Sequence, residues 1–201
     1  LHVCTTSATR VYAMPRAQAE ASTRIEVAEG AYAEFIPDPF IPYAGSRYSG
    51  RAQQVVAEGG ALVVAEVVGP GRQARGEALA YEIFQSETEV RRPDGRLLFR
   101  ETTRLRPADD LSSPGMLGRW RALATLYAVG EGVEASVFDQ ALMGCEGADL
   151  SAGCSDLPNS AGAWFRVMAP DTRAADEAVR TAWTAVRQRL LGFAPPPSRR
   201  Y

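Results

Sequence analysis

Two stretches with the same pattern, Val27-Ala28-Glu29-Gly30-Ala31 and Val56-Ala57-Glu58-Gly59-Gly60-Ala61, decide the fold of this sequence. Each joins two strand-like segments through glycine, which adopts the positive φ of a tight turn without steric cost. We interpret both stretches as hairpins. Their recurrence at a near-regular offset predicts stacked, repetitive β-structure rather than alternating strands and helices.

Strand patterns continue on both sides of these turns. Apolar and polar residues alternate with period two at 23–27, as a half-buried strand requires. The turn signal Pro93-Asp94-Gly95 separates two further strand-like segments. The predicted strands are residues 23–27, 31–36, 61–68, 78–90, 96–105 and 163–168, with loops at 109–118 and 144–159.

The clearest helix is predicted for residues 171–191. Asp171 or Thr172 can cap its start, and Gly192 followed by three prolines ends it. Trp183 on this helix is predicted to be a core residue, and a shorter helix is predicted at 133–143. The fold class is therefore mainly β with a C-terminal α-helix, whose apolar stripe consists of Ala175, Val179, Ala182, Val186 and Leu190.

Composition excludes several classes of protein. A chain that is 46% hydrophobic and 23% charged can bury a core, and a net charge of -2 provides no basic surface for nucleic acid. The longest apolar run, 61–68, is far below the ~18 residues that span a bilayer. We therefore expect neither nucleic acid nor a membrane as partner. Three cysteines without a disulfide spacing and no secretory signal predict a cytoplasmic protein.

The usual parts of a catalytic site are missing from the sequence. His2 is the single histidine, and no nucleophile elbow, zinc motif or P-loop is present. Gly69-Pro70-Gly71 fits a plain turn better than a phosphate loop, because Pro70 lacks an amide donor. Cys145 and Cys154 are interpreted as ordinary loop cysteines rather than ligands of a soft metal. We expect no enzyme.

Carboxylates in the strand region carry the most information about function. Glu66 interrupts an apolar run, and a buried charge is costly unless it is paired or ligated. It therefore either pairs with an arginine or lies along a polar passage. Glu34 and Asp38, beside a proline-rich corner, are the second choice for the same role.

Several blocks of the sequence resemble, in order, the UreD/UreH family of urease accessory proteins. Thr5-Thr6-Ser7-Ala8-Thr9-Arg10-Val11-Tyr12 is similar to the family's T-T-x-A-A-T-K-V-Y stretch, and Ala124-Thr125-Leu126-Tyr127 is similar to its G-T-L-Y strand. The spacing of Glu66, Gly71-Arg72 and Gly76-Glu77 matches W-E-x-x-x-x-G-R-x-x-x-G-E. Further matches are residues 24–31, residues 34–43, Gly95, Leu98, Glu101, Arg166, and Trp183 and Arg187 on the terminal helix.

The resemblance implies a fold and a role. The fold is a two-layer, helical stack of β-strands in one domain, 1–201, which lacks the family's glycine-rich N-terminal region. The role is a chaperone or scaffold that works with UreF, the GTPase UreG and the urease apoprotein in assembling the nickel metallocentre. The resemblance also implies no tightly bound cofactor and a transient passage of nickel, for which Glu66, Glu34 and Asp38 are the predicted residues.

Two other classes remain open from the residues alone. A β-rich ligand- or carbohydrate-binding module would need an aromatic-lined groove, and the 8% aromatic content is not clustered. A hydrolase that uses a pair of carboxylates would need two acids that converge across a cleft.

Overall fold

The computed structural model describes residues 1–146 and 149–195, and this part of the chain contains fourteen strands and two α-helices. Short 3₁₀ turns lie at Gln73–Arg75, Pro107–Asp109, Ala135–Phe138 and Pro158–Ser160. In chain order the elements are β1 (His2–Val3), β2 (Thr9–Val11), β3 (Ala19–Val27), β4 (Tyr32–Phe35), β5 (Phe40–Pro42), β6 (Arg47–Val56), β7 (Ala61–Val68), β8 (Gly71–Arg72), β9 (Glu77–Ala78), β10 (Ile83–Arg91), β11 (Leu97–Leu105), β12 (Ala122–Val129), α1 (Asp139–Cys145), β13 (Ser151–Asp156), β14 (Gly162–Ala169) and α2 (Thr172–Leu191).

Two main sheets, a small two-stranded sheet and a helical layer make up the described part of the chain. The central sheet has the order β1-β4-β7-β12-β14-β13, with β5 also beside β7 and β2 beside β5. The outer sheet has the order β11-β10-β6-β3, and β8 and β9 form a separate pair. The mainly β fold is confirmed. Helices α1 and α2 cover the face of the central sheet that points away from the outer sheet.

The sequence pattern predicted that the two glycine turns are hairpins, and this prediction is wrong. Each one connects a strand of the outer sheet to a strand of the central sheet, so that β3 lies parallel to β6 and β4 parallel to β7. Gly30 and Gly59 have φ of 67° and 68°. At Gly60 a Cβ would lie 2.8 Å from the carbonyl oxygen of Ala28, because the two turns stack directly on each other. The expectation of stacked, repetitive β-structure is thus confirmed with a different connection.

Other expectations need smaller corrections. The strand predicted at 78–90 is broken, since Leu79 has φ of 54° and the amide of Leu79 donates to the carbonyl oxygen of Pro70. The loop predicted at 144–159 contains β13, a small-residue edge strand held by its pairing with β14. Cys154 therefore lies on a strand, and Cys145 is buried at the end of α1. Both cysteines are free thiols.

The predicted C-terminal helix is confirmed. The Asp171 carboxylate caps α2 by accepting a hydrogen bond of 2.9 Å from the amide of Ala174, and Gly192 ends the helix with φ of 78°. Trp183 is buried at 5% exposure, as predicted. The apolar stripe of α2 packs on the central sheet, so this stripe is not a surface for a partner protein. No helix in the described ranges is long and apolar enough to cross a membrane.

Candidate functional site

A polar row crosses the face of the central sheet that looks toward the outer sheet. Strand pairing places Glu66 of β7 opposite Thr125 of β12, and Thr125 opposite Arg166 of β14. Apolar rows flank it on both sides, so the core between the sheets is divided into two apolar clusters. These flanking rows are Val64, Tyr127 and Trp164 on one side and Val68, Leu123 and Met168 on the other.

The outer sheet faces this row with small and polar side chains. On β10, Ser86 and Thr88 lie between the apolar residues Phe84 and Val90. Glu101 of β11 lies opposite Thr88 in the strand pairing. We call Glu66, Thr125, Arg166, Ser86 and Glu101 the inter-sheet band.

Hydrogen bonds connect the two sheets within the band. The Ser86 hydroxyl donates to Oε1 of Glu66 at 2.8 Å. Arg166 Nε donates to the Thr125 hydroxyl oxygen at 3.0 Å, and Arg166 Nη2 forms an ion pair with Glu101 Oε1. The Arg166 guanidinium also lies 5.1 Å from the ring centre of Trp164. Each sheet thus supplies one carboxylate, and the central sheet supplies the cation.

The middle of the inter-sheet space retains surface that water can reach. Inward-facing Thr88 and Glu101 are only partly buried, as is Glu66, whereas Phe84 and Val90 in the adjoining rows are 0% and 1% exposed. The band is therefore a partly exposed polar row between two apolar clusters.

Burial raises the pKa of Glu66 to about 7; the Ser86 hydrogen bond opposes this, the charge of Glu101 adds to it and the charge of Arg166 opposes it. Within the described residues Glu66 has no arginine at ion-pair distance, because Arg166 pairs with Glu101 instead. The simple ion pair with an arginine is therefore not observed for Glu66, and its role along a polar passage stays a prediction. A carboxyl group whose pKa is near 7 can change between its neutral and charged forms around neutral pH at little cost in free energy.

Glu34 lies on the opposite face of the central sheet. Its carboxylate, which is 1% exposed, accepts hydrogen bonds from Tyr32 Oη at 2.5 Å, from Trp183 Nε1 at 2.9 Å and from Arg187 Nη1. His2 Nδ1 lies 2.9 Å from the same carboxylate, and the His2 ring stacks on Trp183 at 5.4 Å. Glu34 therefore joins α2 to the first and fourth strands.

Asp38 is also held on the helix side. Its amide donates to the Thr5 hydroxyl oxygen at 2.8 Å, and its carboxylate lies 3.5 Å from Arg180 of α2. The structure thus separates the three residues predicted for a nickel path: Glu66 lies between the sheets, whereas Glu34 and Asp38 contact α2 through arginines. Their roles in nickel transfer stay predictions.

Two members of the band are not predicted from the sequence as functional residues. Glu101 and Arg166 are identified there only as positions that match a family, although Arg166 interrupts an apolar alternation as Glu66 does. Arg166 stands between Trp164 and Met168 at period two, which is a detectable signal. In the described part of the chain no group of three or more His, Cys, Asp or Glu side chains is placed to hold a metal ion. Only two carboxylates meet in the band.

The chain is similar to known proteins along its whole length. The family model for the UreD urease accessory protein matches residues 1–201. The urease accessory protein UreD 2 of Streptomyces griseus is 36% identical over 207 residues, which cover 100% of this chain and 70% of the relative. The urease accessory protein UreD of Haloarcula marismortui is 34% identical over 202 residues, covering 100% of this chain and 67% of the relative.

A third relative shows a similar level of identity. The urease accessory protein UreD of Cenarchaeum symbiosum is 31% identical over 204 residues, which cover 99% of this chain and 71% of the relative. These relatives are named as accessory proteins, not as hydrolases or carbohydrate-binding proteins. With a family model matched from residue 1 to residue 201, the chain belongs to the UreD urease accessory protein family.

Proposed function

We propose that this chain is a non-catalytic scaffold that joins UreF and UreG in assembling the nickel metallocentre of apo-urease in the cytoplasm, and that nickel passes through the inter-sheet band. Membership of the accessory protein family supports the first part. The polar row that contains Glu66 supports the second, and it is the observation that carries the proposal.

Three properties of the band suit the transit of a cation. It crosses the core between two apolar clusters, so that a path along it is separated from the rest of the interior. With Glu66 ionised, it holds two carboxylates and one guanidinium, which leaves an excess of negative charge. Nickel accepts oxygen ligands, and two carboxylates without further ligands bind it weakly enough to release it.

The decisive variant is Glu66→Gln in the full-length protein, because it keeps the side-chain shape and removes the charge. We expect the variant to assemble with UreF and UreG and to yield urease with less nickel and lower activity. Glu87→Gln is the matched control. Glu87 lies on β10 and pairs with Arg51 on the outer surface, so its replacement should leave nickel delivery unchanged. Full activation of urease by a well-assembled Glu66→Gln complex would remove Glu66 from the path.

Partner binding is tested separately. We expect the full-length protein to be poorly soluble or self-associating alone and to elute as a stable complex with UreF in size-exclusion chromatography. Since the stripe of α2 is buried, the contact surface must lie elsewhere. A monodisperse protein that shows no binding to UreF would contradict the scaffold role while leaving the family assignment intact.

A further inference from the structure

Two blocks of the sequence that the inter-sheet band does not use meet at one exposed surface. The block 5–12 supplies Tyr12, and the block 71–77 supplies Arg72. Tyr43, directly after β5, lies between them. The rings of Tyr12 and Tyr43 meet edge to face with their centres 4.9 Å apart, and the Arg72 guanidinium lies 4.2 Å from the centre of the Tyr43 ring. We call Tyr12, Tyr43 and Arg72 the tyrosine–arginine surface.

The Arg72 side chain is held in place by its own chain. Arg72 Nε and Nη2 donate to the two carboxylate oxygens of Glu77 at 2.7 and 2.5 Å. The backbone beneath it is closely packed, since a Cβ on Gly71 would lie 2.6 Å from the carbonyl oxygen of Glu77 and 2.7 Å from that of Pro42. A group that is fixed before binding loses little conformational entropy in a complex.

Two further arginines give this region an excess of positive charge. Arg10 and Tyr12 flank the buried Val11 of β2 and therefore point to the same side. Arg75 lies in the turn between β8 and β9, and its charge adds to the effect of the Arg72 hydrogen bonds in lowering the pKa of Glu77. Arg10 and Arg75 are exposed and form no ion pair with another described residue. The excess is local, because the net charge of the whole chain is -2.

We propose that the tyrosine–arginine surface binds an acidic segment of a partner protein, whose carboxylates pair with Arg10 and Arg75 while its apolar atoms pack on the Tyr12 ring. The choice of UreF as this partner rests on the proposed function. Tyr12 is 58% exposed, and tyrosine and arginine are the residue types enriched at the energetic centres of protein interfaces. The unpaired arginines supply attraction that salt screens, so the affinity falls as the salt concentration rises.

A purely structural role gives a different expectation. If the two tyrosines and Arg72 only hold the segment 71–77 against the end of β5, replacement of Tyr12 lowers stability and leaves partner binding unchanged. Replacement of Arg75, which makes no ion pair with the described residues, then has no effect on either property. Partner affinity therefore separates the two roles.

The test is isothermal titration calorimetry of UreF with the full-length protein at low and at high salt. Tyr12→Ala should weaken binding roughly tenfold or more, because it removes the exposed ring at the centre of the contact. Arg75→Glu should weaken binding several-fold at low salt and reduce its dependence on salt.

Each variant has a matched control. Phe193→Ala removes another exposed aromatic ring, which is 55% exposed. Arg96→Glu reverses the charge of an exposed arginine in another turn, between β10 and β11. Both control variants should bind UreF as the parent does.

Circular dichroism shows whether each variant is folded, and Arg75→Glu decides alone if Tyr12→Ala does not fold. Unchanged affinity for UreF in either folded variant overturns the inference. If the parent protein itself does not bind UreF, the proposed scaffold role and this inference fail together. If the parent binds UreF and the substitutions have no effect, the inference fails and the proposed function stands.

Discussion

Each face of the central sheet holds a carboxylate, and the surroundings shift the pKa values of the two carboxylates in opposite directions. On the helix side, burial pushes the pKa of Glu34 upward, but hydrogen bonds from Tyr32, Trp183 and Arg187 together hold it below its ordinary value. On the side of the outer sheet, burial raises the pKa of Glu66 to about 7, and the Ser86 hydroxyl offsets this only in part. Burial raises the pKa of both carboxylates, but Glu34 receives hydrogen bonds from three side chains and Glu66 from one.

This difference separates a structural carboxylate from a candidate functional one. A buried charge is stable when its oxygens are saturated by donors and a partner charge, as those of Glu34 are. Such a group has no free oxygen for a passing ion. Glu66 accepts one hydrogen bond in a space that still contains accessible surface, so it can gain a ligand.

The largest effect is expected from Glu34→Gln. It should lower the free energy of unfolding by about 3–5 kcal/mol, because Arg187 would be left buried without its partner. Urea denaturation measures this loss. Glu82→Gln, which breaks an exposed pair with Arg47, is the control and should change the free energy of unfolding little, because solvent screens the pair. Equal losses in both variants would mean that Glu34 is not the point where α2 is held.

Glu66→Gln is expected to change stability in the opposite direction. The folded state keeps a proton on Glu66 up to about pH 7, whereas the unfolded chain releases it near the ordinary value of 4.5. The stability that the higher pKa of Glu66 gives the folded state is therefore fully present below pH 4.5 and is lost as the pH rises to about 7. At pH 8 the variant should be more stable than the parent by about 2–3 kcal/mol, and at pH 4 equal to it.

Denaturation curves from pH 4 to pH 8 check this expectation. A parent and a Glu66→Gln variant with the same dependence on pH would show that Glu66 is not a desolvated carboxyl group. Glu66 between the sheets would then be no more destabilised in its charged form than Glu34 on the helix side.

Trp183→Phe tests a single donor to Glu34. It removes the Nε1 hydrogen bond of 2.9 Å and keeps an aromatic ring in the core, so we expect a loss of about 1–2 kcal/mol in the free energy of unfolding. Trp120→Phe is the control, since Trp120 stacks with Arg119 away from this cluster. A loss no greater than that of the control would show that the remaining donors satisfy Glu34 fully.

The smallest effect is expected from His2→Ala. His2 contacts Glu34 and Trp183 from a side chain that is 33% exposed, and such partly solvated pairs contribute less than about 1 kcal/mol. Thermal or urea unfolding of the variant checks this. A loss as large as that of Glu34→Gln would mean that the first strand, rather than α2, secures the buried carboxylate.

Local patterns were enough to predict the elements with strong periodicity. The stripe and caps of α2 lie within consecutive residues, and so do the alternation of β3 and the hairpin turn before β11. The glycine turns also identify the repeat, because glycine adopts the positive φ found at Gly30 and Gly59 without steric cost. The same pattern led to the wrong prediction that the strands on either side of each turn pair with each other, whereas each pairs with the equivalent strand of the other repeat.

The sequence by itself determined that Glu66 is an unusual residue, since a carboxylate in an apolar strand can be recognised without coordinates. Only the tertiary structure decided which partners it has. Both Arg166 and Glu101 come from strands far away in the chain. Arg166 joins the row of Glu66 through strand pairing within the central sheet, and Glu101 joins it through the stacking of the outer sheet. The same holds for Glu34, whose donors Trp183 and Arg187 arrive on α2. Hydrogen bonds and charge effects act over a few ångströms in space, and separation along the chain does not report that distance.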